Sequence, residues 1–225
     1  KPKSLITLGS STLLELTLKN LPLDPKEISI VFNNLKVPLS FLDSNTTYIR
    51  IKETSSQIES LFESQEYLSN INNFFLCSCD CFGVFDQKKF KKITESNNYD
   101  IICFGFRPTL LQIKSKSNYS TLDFKEDIIK NIFVKKIRNA SDLGLAGFFW
   151  IKSGHKLTST LDQFIKIASQ EKREIIVDDL MEYCINLGLS IGFLKLEKYF
   201  HLGSPDELNE YKYWLMNYES LLKVN

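Results

Sequence analysis

Two long apolar runs constrain this fold more than any other feature of the sequence. Residues 73–79 and 100–106 carry apolar side chains at nearly every position rather than at alternate positions. A strand of this kind is covered on both faces, as in the centre of a parallel sheet. Segments with helical spacing flank these runs, at residues 13–21, 56–68 and 177–187. This alternation of strands and helices predicts an α/β protein.

The middle of the chain has a different pattern. Residues 119–124, 132–136 and 145–151 are strand-like and closely spaced, with no long helical segment between them. They predict a small β-rich insert. Because the sequence shows no repeat, low-complexity tract or linker, we expect one domain over residues 1–225. The expected architecture is a Rossmann-like three-layer α/β/α fold with a mixed, mostly parallel central sheet.

The charge balance excludes some classes of partner. The 28 basic and 27 acidic residues give a net charge of +1. That balance favours neither nucleic acid nor an anionic membrane surface as a partner. No apolar run reaches the ~18 residues that a transmembrane helix needs, and the first residues do not form a signal peptide. We therefore expect a cytoplasmic protein, and the absence of an initial Met suggests that the chain was cut from a longer one.

Three of the five cysteines alternate along one strand-like run. Cys77, Cys79 and Cys81 would share one face of that strand. Zinc sites instead use Cys-x-x-Cys spacing with a second pair of ligands, which this sequence lacks. We expect reduced cysteines that pack as small apolar groups.

Two carboxylates follow segments that could place them at a ligand site. Asp80 comes directly after the apolar run, and ligands of α/β sheets gather at the carboxyl ends of strands. It could hold Mg²⁺, or it could merely cap a turn. Asp178 lies beside Asp179 at a predicted helix start. It could be a second metal ligand, or this acidic pair could stabilise the helix N-terminus.

The C-terminal segment is typical of a strand, a glycine loop and a helix. After the strand-like residues 191–196 comes Gly203, and then Ser204 can cap a helix with Pro205 in its first position. Glu207 completes a capping box. Tyr211 and Trp214 follow within that helix.

This ending resembles that of the sugar-phosphate nucleotidyltransferases, which reads Gly-Thr-Pro-Glu-Asp-Leu and then Tyr-x-x-Trp. Further segments carry the resemblance, in the same order along the chain: residues 2–15, 79–80, 117–120, 134–137, 143–150 and 174–178. The resemblance implies a nucleotide-diphospho-sugar transferase-like fold. It also implies Mg²⁺-dependent transfer of a nucleoside monophosphate from an NTP to a sugar 1-phosphate, for the supply of surface-glycan precursors.

The resemblance also implies roles for particular residues. The expected catalytic residues are Lys3, which would contact phosphate, and Asp80. The expected metal ligands are Asp80 and Asp178. The expected nucleotide-binding residues are Lys3, Thr54, Ser55 and Gln57. The expected sugar-phosphate-binding residues are Lys135, Lys136, Gly147 and Glu174.

The sequence departs from the family pattern in three places. The Gly-x-Gly-(Thr/Ser)-Arg loop, which cradles the triphosphate in the family and precedes Pro-Lys-x-Leu, is not in the chain. Ser56 stands where the family usually has glycine near the base. His201 stands where several relatives have Asp. Because histidine is a poor ligand for Mg²⁺, we assign the second metal position to Asp178 and expect His201 to pack or to line the cleft.

Other functions stay open. The acceptor could be a phosphorylated non-sugar, as for cytidylyltransferases of the same group. The protein could also be a non-catalytic nucleotide- or sugar-binding regulatory or scaffold domain, or a purely structural one. The expected partners of the enzyme are an NTP and a sugar 1-phosphate, without nucleic acid or membrane, and association into a homo-oligomer is left open.

Overall fold

A computed structural model describes residues 3–21, 28–32, 46–114, 119–139, 141–168 and 170–222. Predicted features at Pro2, Glu27, Ser117 and Asn118 lie outside these residues. The helices are α1 Leu13–Asn20, α2 Gln57–Glu63, α3 Gln65–Leu68, α4 Gln87–Glu95, α5 Leu110–Lys114, α6 Gly154–Ala168, α7 Val177–Asn186 and α8 Pro205–Leu222. The strands are β1 Thr7–Leu8, β2 Ser11–Thr12, β3 Ser29–Phe32, β4 Thr47–Arg50, β5 Asn72–Cys77, β6 Cys81–Val84, β7 Ile101–Phe106, β8 Thr121–Lys125, β9 Ile128–Phe133, β10 Leu143–Ser153, β11 Ile191–Lys195 and β12 Lys198–His201.

The main sheet is mixed, and the prediction that it is mostly parallel is wrong. Its six strands lie in the order β5-β10-β7-β11-β9-β8. Among its described strands only the pair β7–β11 is parallel, whereas β10 is antiparallel to β5, β7 and β8. The long strand β10 lies between the two apolar strands, so these are neighbours of β10 and not of each other.

The first apolar run, now β5, was predicted to be a central parallel strand, and this prediction is also wrong. Among the described strands β5 lies at one end of the sheet and pairs antiparallel with β10. Its apolar side chains still contact core clusters on both faces of the sheet, Phe74 on one and Phe75 on the other. The apolar pattern therefore predicted packing on both faces correctly, but it did not predict the position of β5 in the sheet.

Apolar clusters cover the sheet on both faces. On one face Phe149 and Ile151 of β10 pack with Leu157, Leu161 and other residues of α6 and α7. On the other face aromatic side chains dominate, among them Phe85, Phe104, Phe148 and Trp150. The consecutive aromatics of β10 thus point to opposite faces, as their position in a strand requires. The Rossmann-like three-layer arrangement stays a prediction.

Two short elements bring distant segments together beside the main sheet. Strand β12 pairs antiparallel with β6, and the register sets His201 opposite Cys81. A small cluster of Leu8, Leu13, Phe82, Leu202 and Leu208 joins α1, β6 and the start of α8. The N-terminal segment, the turn after β5 and the C-terminal loop therefore meet in one place.

Local capping signals were largely confirmed. Ser204 and Glu207 form the predicted capping box of α8, with N···O distances of 3.2 and 3.3 Å. The sequence Ser56-Gln57-Ile58-Glu59 also predicts a capping box at the start of α2. Ser56 does cap α2, but the Glu59 carboxylate accepts from Ser55 N at 2.6 Å instead of from Ser56 N. The predicted helix over residues 56–68 is interrupted at Ser64.

The cysteines are all free thiols. Burial raises the pKa of Cys77 to about 12 and that of Cys79 to about 11, so both stay protonated near neutral pH. They suit packing rather than metal binding. None of the helices in the described part of the chain is long and apolar enough to cross a bilayer.

Candidate functional site

Asp80, in the turn after β5, contacts several other polar and charged side chains. Asp80 is 8 % exposed, and its Oδ2 lies 2.6 Å from Lys3 Nζ. Ser78 Oγ donates to Asp80 Oδ1. Burial alone would raise the pKa of the Asp80 carboxyl, but hydrogen bonds from Lys3 and Ser78, with the charges of Lys3 and His201, lower it. Asp80 is therefore an ionised carboxylate paired with Lys3, and these two predicted catalytic residues are together.

His201 reaches the same place from the other side. Leu202 N donates to the Asp80 carbonyl at 2.8 Å, which ties the end of β12 to the turn after β5. His201 Nδ1 lies 2.9 and 2.8 Å from the two carboxylate oxygens of Glu207. The Glu207 carboxylate is held in turn by Gln112 Nε2 at 3.0 Å and Ser204 Oγ at 2.7 Å.

Glu207 holds a proton on one nitrogen of this imidazole. Burial would raise the pKa of Glu207, yet the hydrogen bond and charge of His201, followed by Ser204 and Gln112, lower it. An ionised carboxylate can only accept, so His201 Nδ1 must donate its proton to Glu207. The other ring nitrogen, Nε2, lies beside the backbone of Gly203.

Gly203 lets the imidazole of His201 pack directly against the backbone of the loop, close to Asp80. A Cβ atom at this position would lie 2.4 Å from His201 Nε2 and 3.3 Å from Asp80 Oδ2. Both atoms thus border a single point beside the Gly203 backbone. Any side chain at position 203 would overlap the imidazole.

Asp178 belongs to a second group at the start of α7. Its Oδ2 accepts from Ser120 Oγ at 2.5 Å, and Ser120 Oγ accepts from Lys135 N at 3.1 Å. Burial raises the pKa of Asp178 to about 6; Asp179 raises it too, while Ser120, Lys135 and His201 oppose the shift. Asp178 is therefore partly protonated near neutral pH.

Its neighbour Asp179 has a structural role. Asp179 is 5 % exposed and accepts from both terminal nitrogens of Arg173, at 2.6 and 3.1 Å. It also accepts from Ile176 N at 2.9 Å, which satisfies a free donor before α7. Asp179 therefore stabilises the start of α7, whereas Asp178 remains the candidate for a role in the site.

The two predicted metal carboxylates share one neighbour. The charge of His201 lowers the pKa of both Asp80 and Asp178, so the imidazole lies within electrostatic range of each. Within the described ranges, no group of three or more His, Cys, Asp or Glu side chains could hold a metal ion. A cation here would take most of its ligands from substrate oxygens and water, as Mg²⁺ commonly does.

A cavity of about 570 Å³ brings together several of the other predicted contact residues. Thr54, Ser55 and Glu174 line it. Gln57 is not among the lining residues, and its Oε1 accepts from Val177 N at 3.2 Å. Glu174 Oε2 is 3.9 Å from Lys135 Nζ. The predicted nucleotide-binding segment and part of the predicted sugar-binding set are therefore adjacent in space.

The last two predicted sugar contacts are placed differently. The backbone N–H of Gly147 donates to Tyr199 Oη at 3.1 Å, so that donor already has an intramolecular partner. Lys136 uses its backbone carbonyl to accept from Thr121 Oγ1 at 2.7 Å, and its side chain is exposed. Their roles toward a sugar phosphate stay predictions.

Sequence reasoning missed the pairing of His201 with Glu207. Glu207 was interpreted only as a helix cap, and it does cap α8 while it also binds the imidazole. The five residues between them run through a loop and a helix start. Because these residues lie in different local structures, their separation in the sequence does not predict that their side chains are in contact.

The fold is the one found in nucleotidyltransferases that make nucleotide sugars. One solved structure with this fold is the nucleoside-diphosphate-sugar pyrophosphorylase from Vibrio cholerae, with a TM-score of 0.71 at 14% identity over 94% of this chain and 91% of that one. Another is the inositol-1-phosphate CTP transferase from T. maritima, with a TM-score of 0.73 at 17% identity over 96% and 86%.

A third similar structure is the CTP:phosphocholine cytidylyltransferase from Streptococcus pneumoniae, with a TM-score of 0.67 at 18% identity over 96% of this chain and 90% of that one. No family model matches this sequence, and no curated protein matches it. At these identities the likeness establishes the fold, and the chemistry has to be argued from the site.

Proposed function

We propose that the protein is a nucleotidyltransferase that joins a nucleoside monophosphate to a sugar 1-phosphate. A phosphate oxygen of the sugar phosphate attacks the α-phosphorus of the NTP, and the bond to the departing pyrophosphate breaks. The observation that carries the proposal is the group formed by Lys3, Asp80 and His201 at the carboxyl end of β5. This is the edge of an α/β sheet at which ligands collect.

Charge compensation is the main task of such a site, because both substrates are anions. The attacking phosphate is already ionised, so neither a covalent nucleophile nor a general base is needed. Lys3 Nζ, 2.6 Å from Asp80, and Lys135 Nζ, 3.9 Å from Glu174, are ammonium groups beside the two predicted halves of the site. They would bind phosphate oxygens and stabilise the charge that develops on them in the transition state.

The proposed cation is Mg²⁺, with Asp80 as its first protein ligand. Asp80 fits this role because its carboxylate is ionised and lies at a strand end. Asp178 is proposed as the second carboxylate; its pKa of about 6 means that cation binding there would have to displace a proton from part of the molecules. A bound divalent cation would screen the phosphates from each other and polarise the α-phosphoryl group.

A phosphorylated non-sugar acceptor is the second candidate within this chemistry. Two of the similar structures are CTP transferases that act on inositol 1-phosphate and on phosphocholine. A non-catalytic nucleotide- or sugar-binding module is the third candidate, favoured by Ser56, whose side chain stands where the family usually has glycine near the base. For the enzyme, supply of surface-glycan precursors is the proposed purpose.

The test is pyrophosphate release with each of the four NTPs and with glucose 1-phosphate, inositol 1-phosphate and phosphocholine as acceptors. We expect one NTP–acceptor pair to release pyrophosphate only when a divalent cation is present. Asp80→Asn should abolish the release, whereas Asp123→Asn, at a half-buried position on β8, should not. Cation-dependent NTP binding without pyrophosphate release for any pair would favour the non-catalytic module.

A further inference from the structure

The cavity of about 570 Å³ combines an apolar floor with an acidic rim. We infer that it binds a small organic cation, that is, an ammonium group carried on a short apolar body. Such a cation could be one end of the acceptor or a separate ligand. The inference rests on the proposed function only for the first of these sources, because binding of the cation itself can be measured without turnover.

The floor of the cavity, formed by its buried and half-buried apolar residues, suits an apolar body. Ile58 and Ile175 are buried there, and Phe62 of α2 and Ala168 of α6 line it too. The volume lies within the range of about 300 to 1,000 Å³ that is typical of small-molecule sites. An aromatic ring such as that of Phe62 also attracts a cation placed over its face.

The rim, formed by the charged lining residues, carries an excess of negative charge. Two of these residues are basic, Lys52 and Arg173. Five are glutamates: Glu53, Glu59, Glu63, Glu171 and Glu174. A phosphate group inside the cavity would be repelled by this rim, whereas an ammonium group would be attracted. Thr54 and Ser55 also line the cavity, and the same charge balance limits them to contacts with uncharged parts of a nucleotide.

Both basic side chains of the rim already have carboxylate partners. Lys52 Nζ lies 2.9 Å from Glu63 Oε1. The two terminal nitrogens of Arg173 donate to Asp179, which does not line the cavity, at 2.6 and 3.1 Å. These pairs hold the positive charges in place, so they do not neutralise the other glutamates of the rim.

The remaining glutamates include groups that are available to a ligand. Glu53 and Glu171 are exposed, and within the described ranges neither forms a close ion pair. Glu174 lines the cavity and Lys135 does not, and their Oε2 and Nζ atoms are 3.9 Å apart. A ligand with its ammonium group in the cavity and a phosphate at Lys135 would therefore meet an opposite charge at each end.

Titration calorimetry of the protein without nucleotide compares two probes of almost the same shape. Choline carries a trimethylammonium group, and dimethylbutanol has a neutral carbon in place of that nitrogen. We expect the dissociation constant of choline to be lower by about fivefold or more, because a unit charge about 4 Å from a carboxylate contributes this much even in water. Added salt should weaken the binding of choline more than that of the neutral alcohol.

Variants of exposed glutamates show whether the cation lies in the cavity. Glu171→Gln and Glu53→Gln remove a charge from the rim with little change in shape, and each should weaken choline binding by about fivefold. Glu66→Gln is the matched control, since Glu66 is exposed on α3 and does not line the cavity. It should bind choline as the wild type does. Circular dichroism checks that all three variants fold.

Pyrophosphate release distinguishes the two sources of the cation. If the cation is one end of the acceptor, phosphocholine should support release and choline should compete with it. Glu171→Gln should then raise the KM for phosphocholine while Glu66→Gln leaves it unchanged. If the cation is a separate ligand, choline should bind without competing with the acceptor that supports release.

A lack of choline binding, or equal affinities for choline and dimethylbutanol, would overturn the inference. Unchanged choline binding in both Glu171→Gln and Glu53→Gln would also overturn it, and pyrophosphate release that persists in these cases would leave the proposed function standing. Conversely, choline binding that depends on these glutamates, without pyrophosphate release for any NTP–acceptor pair, would support the cavity site and reject the enzyme.

Discussion

The carboxyl of Asp178, a half-buried residue, gives the sharpest prediction about stability. It lies at the start of α7, where its Oδ2 accepts from Ser120 Oγ at 2.5 Å. Burial raises the pKa of this group from 3.8 to about 6, and the nearby Asp179 carboxylate adds to the shift. Replacing Asp178 with Asn keeps an oxygen that can accept from Ser120 but removes the charge.

The size of the effect follows from the shift in pKa. The folded protein binds this proton more tightly than the unfolded chain does, so the Asp178 carboxyl makes the protein less stable as pH rises from about 4 to about 6. Each unit of pKa shift corresponds to about 1.4 kcal/mol, so the full loss is about 3 kcal/mol. Most of the loss has occurred by about pH 6, and little of it remains below about pH 4.

Urea unfolding from pH 4 to pH 8 measures this loss. We expect Asp178→Asn to be more stable than the wild type by about 1 to 3 kcal/mol at pH 8 and equally stable near pH 4. Asp123→Asn, at a half-buried position on β8, is the control and should follow the wild-type curve. An Asp178→Asn variant that is less stable at pH 8, or a stability difference independent of pH, would refute the reasoning.

Three further changes test the packing of the site and the core. Gly203→Ala should lower both stability and pyrophosphate release, since the new Cβ would lie 2.4 Å from His201 Nε2; unchanged unfolding curves and rates would mean that the loop relaxes freely. Leu180→Ala removes a fully buried side chain of α7 and should lower the free energy of unfolding by about 2 to 5 kcal/mol; a loss below about 1 kcal/mol in urea unfolding would contradict this packing. Ser56→Ala removes the cap of α2 and should cost about 1 kcal/mol, and a neutral change would show that the Glu59–Ser55 contact is sufficient.

Features that depend on neighbouring residues could be predicted well. The capping box of α8 was found from Ser204, Pro205 and Glu207, because its hydrogen bonds join residues three positions apart. The two apolar runs were found as strands with packing on both faces. Hydrogen bonds and side-chain periodicity within one element can be recognised from residue types and their spacing, because they involve residues close together in the sequence.

The order of the strands could not be predicted. Strand β10 was placed in a small insert, yet it lies between β5 and β7 and is antiparallel to both. Which strand fits between two others depends on the shape and apolar contacts of all three. Such contacts join residues far apart in the chain, and no periodicity within one strand records them.

The sequence by itself determined where the helices and strands form, which segments must be covered on both faces, and which residue types could hold anionic substrates. Only the tertiary structure decided that His201 Nδ1 contacts the Glu207 carboxylate and that Asp80 pairs with Lys3. It also decided that Asp178 is buried enough for its pKa to rise to about 6. The reason is physical, because the pKa of a side chain and its orientation depend on burial and on charges from distant segments. These surroundings exist only once the chain has folded.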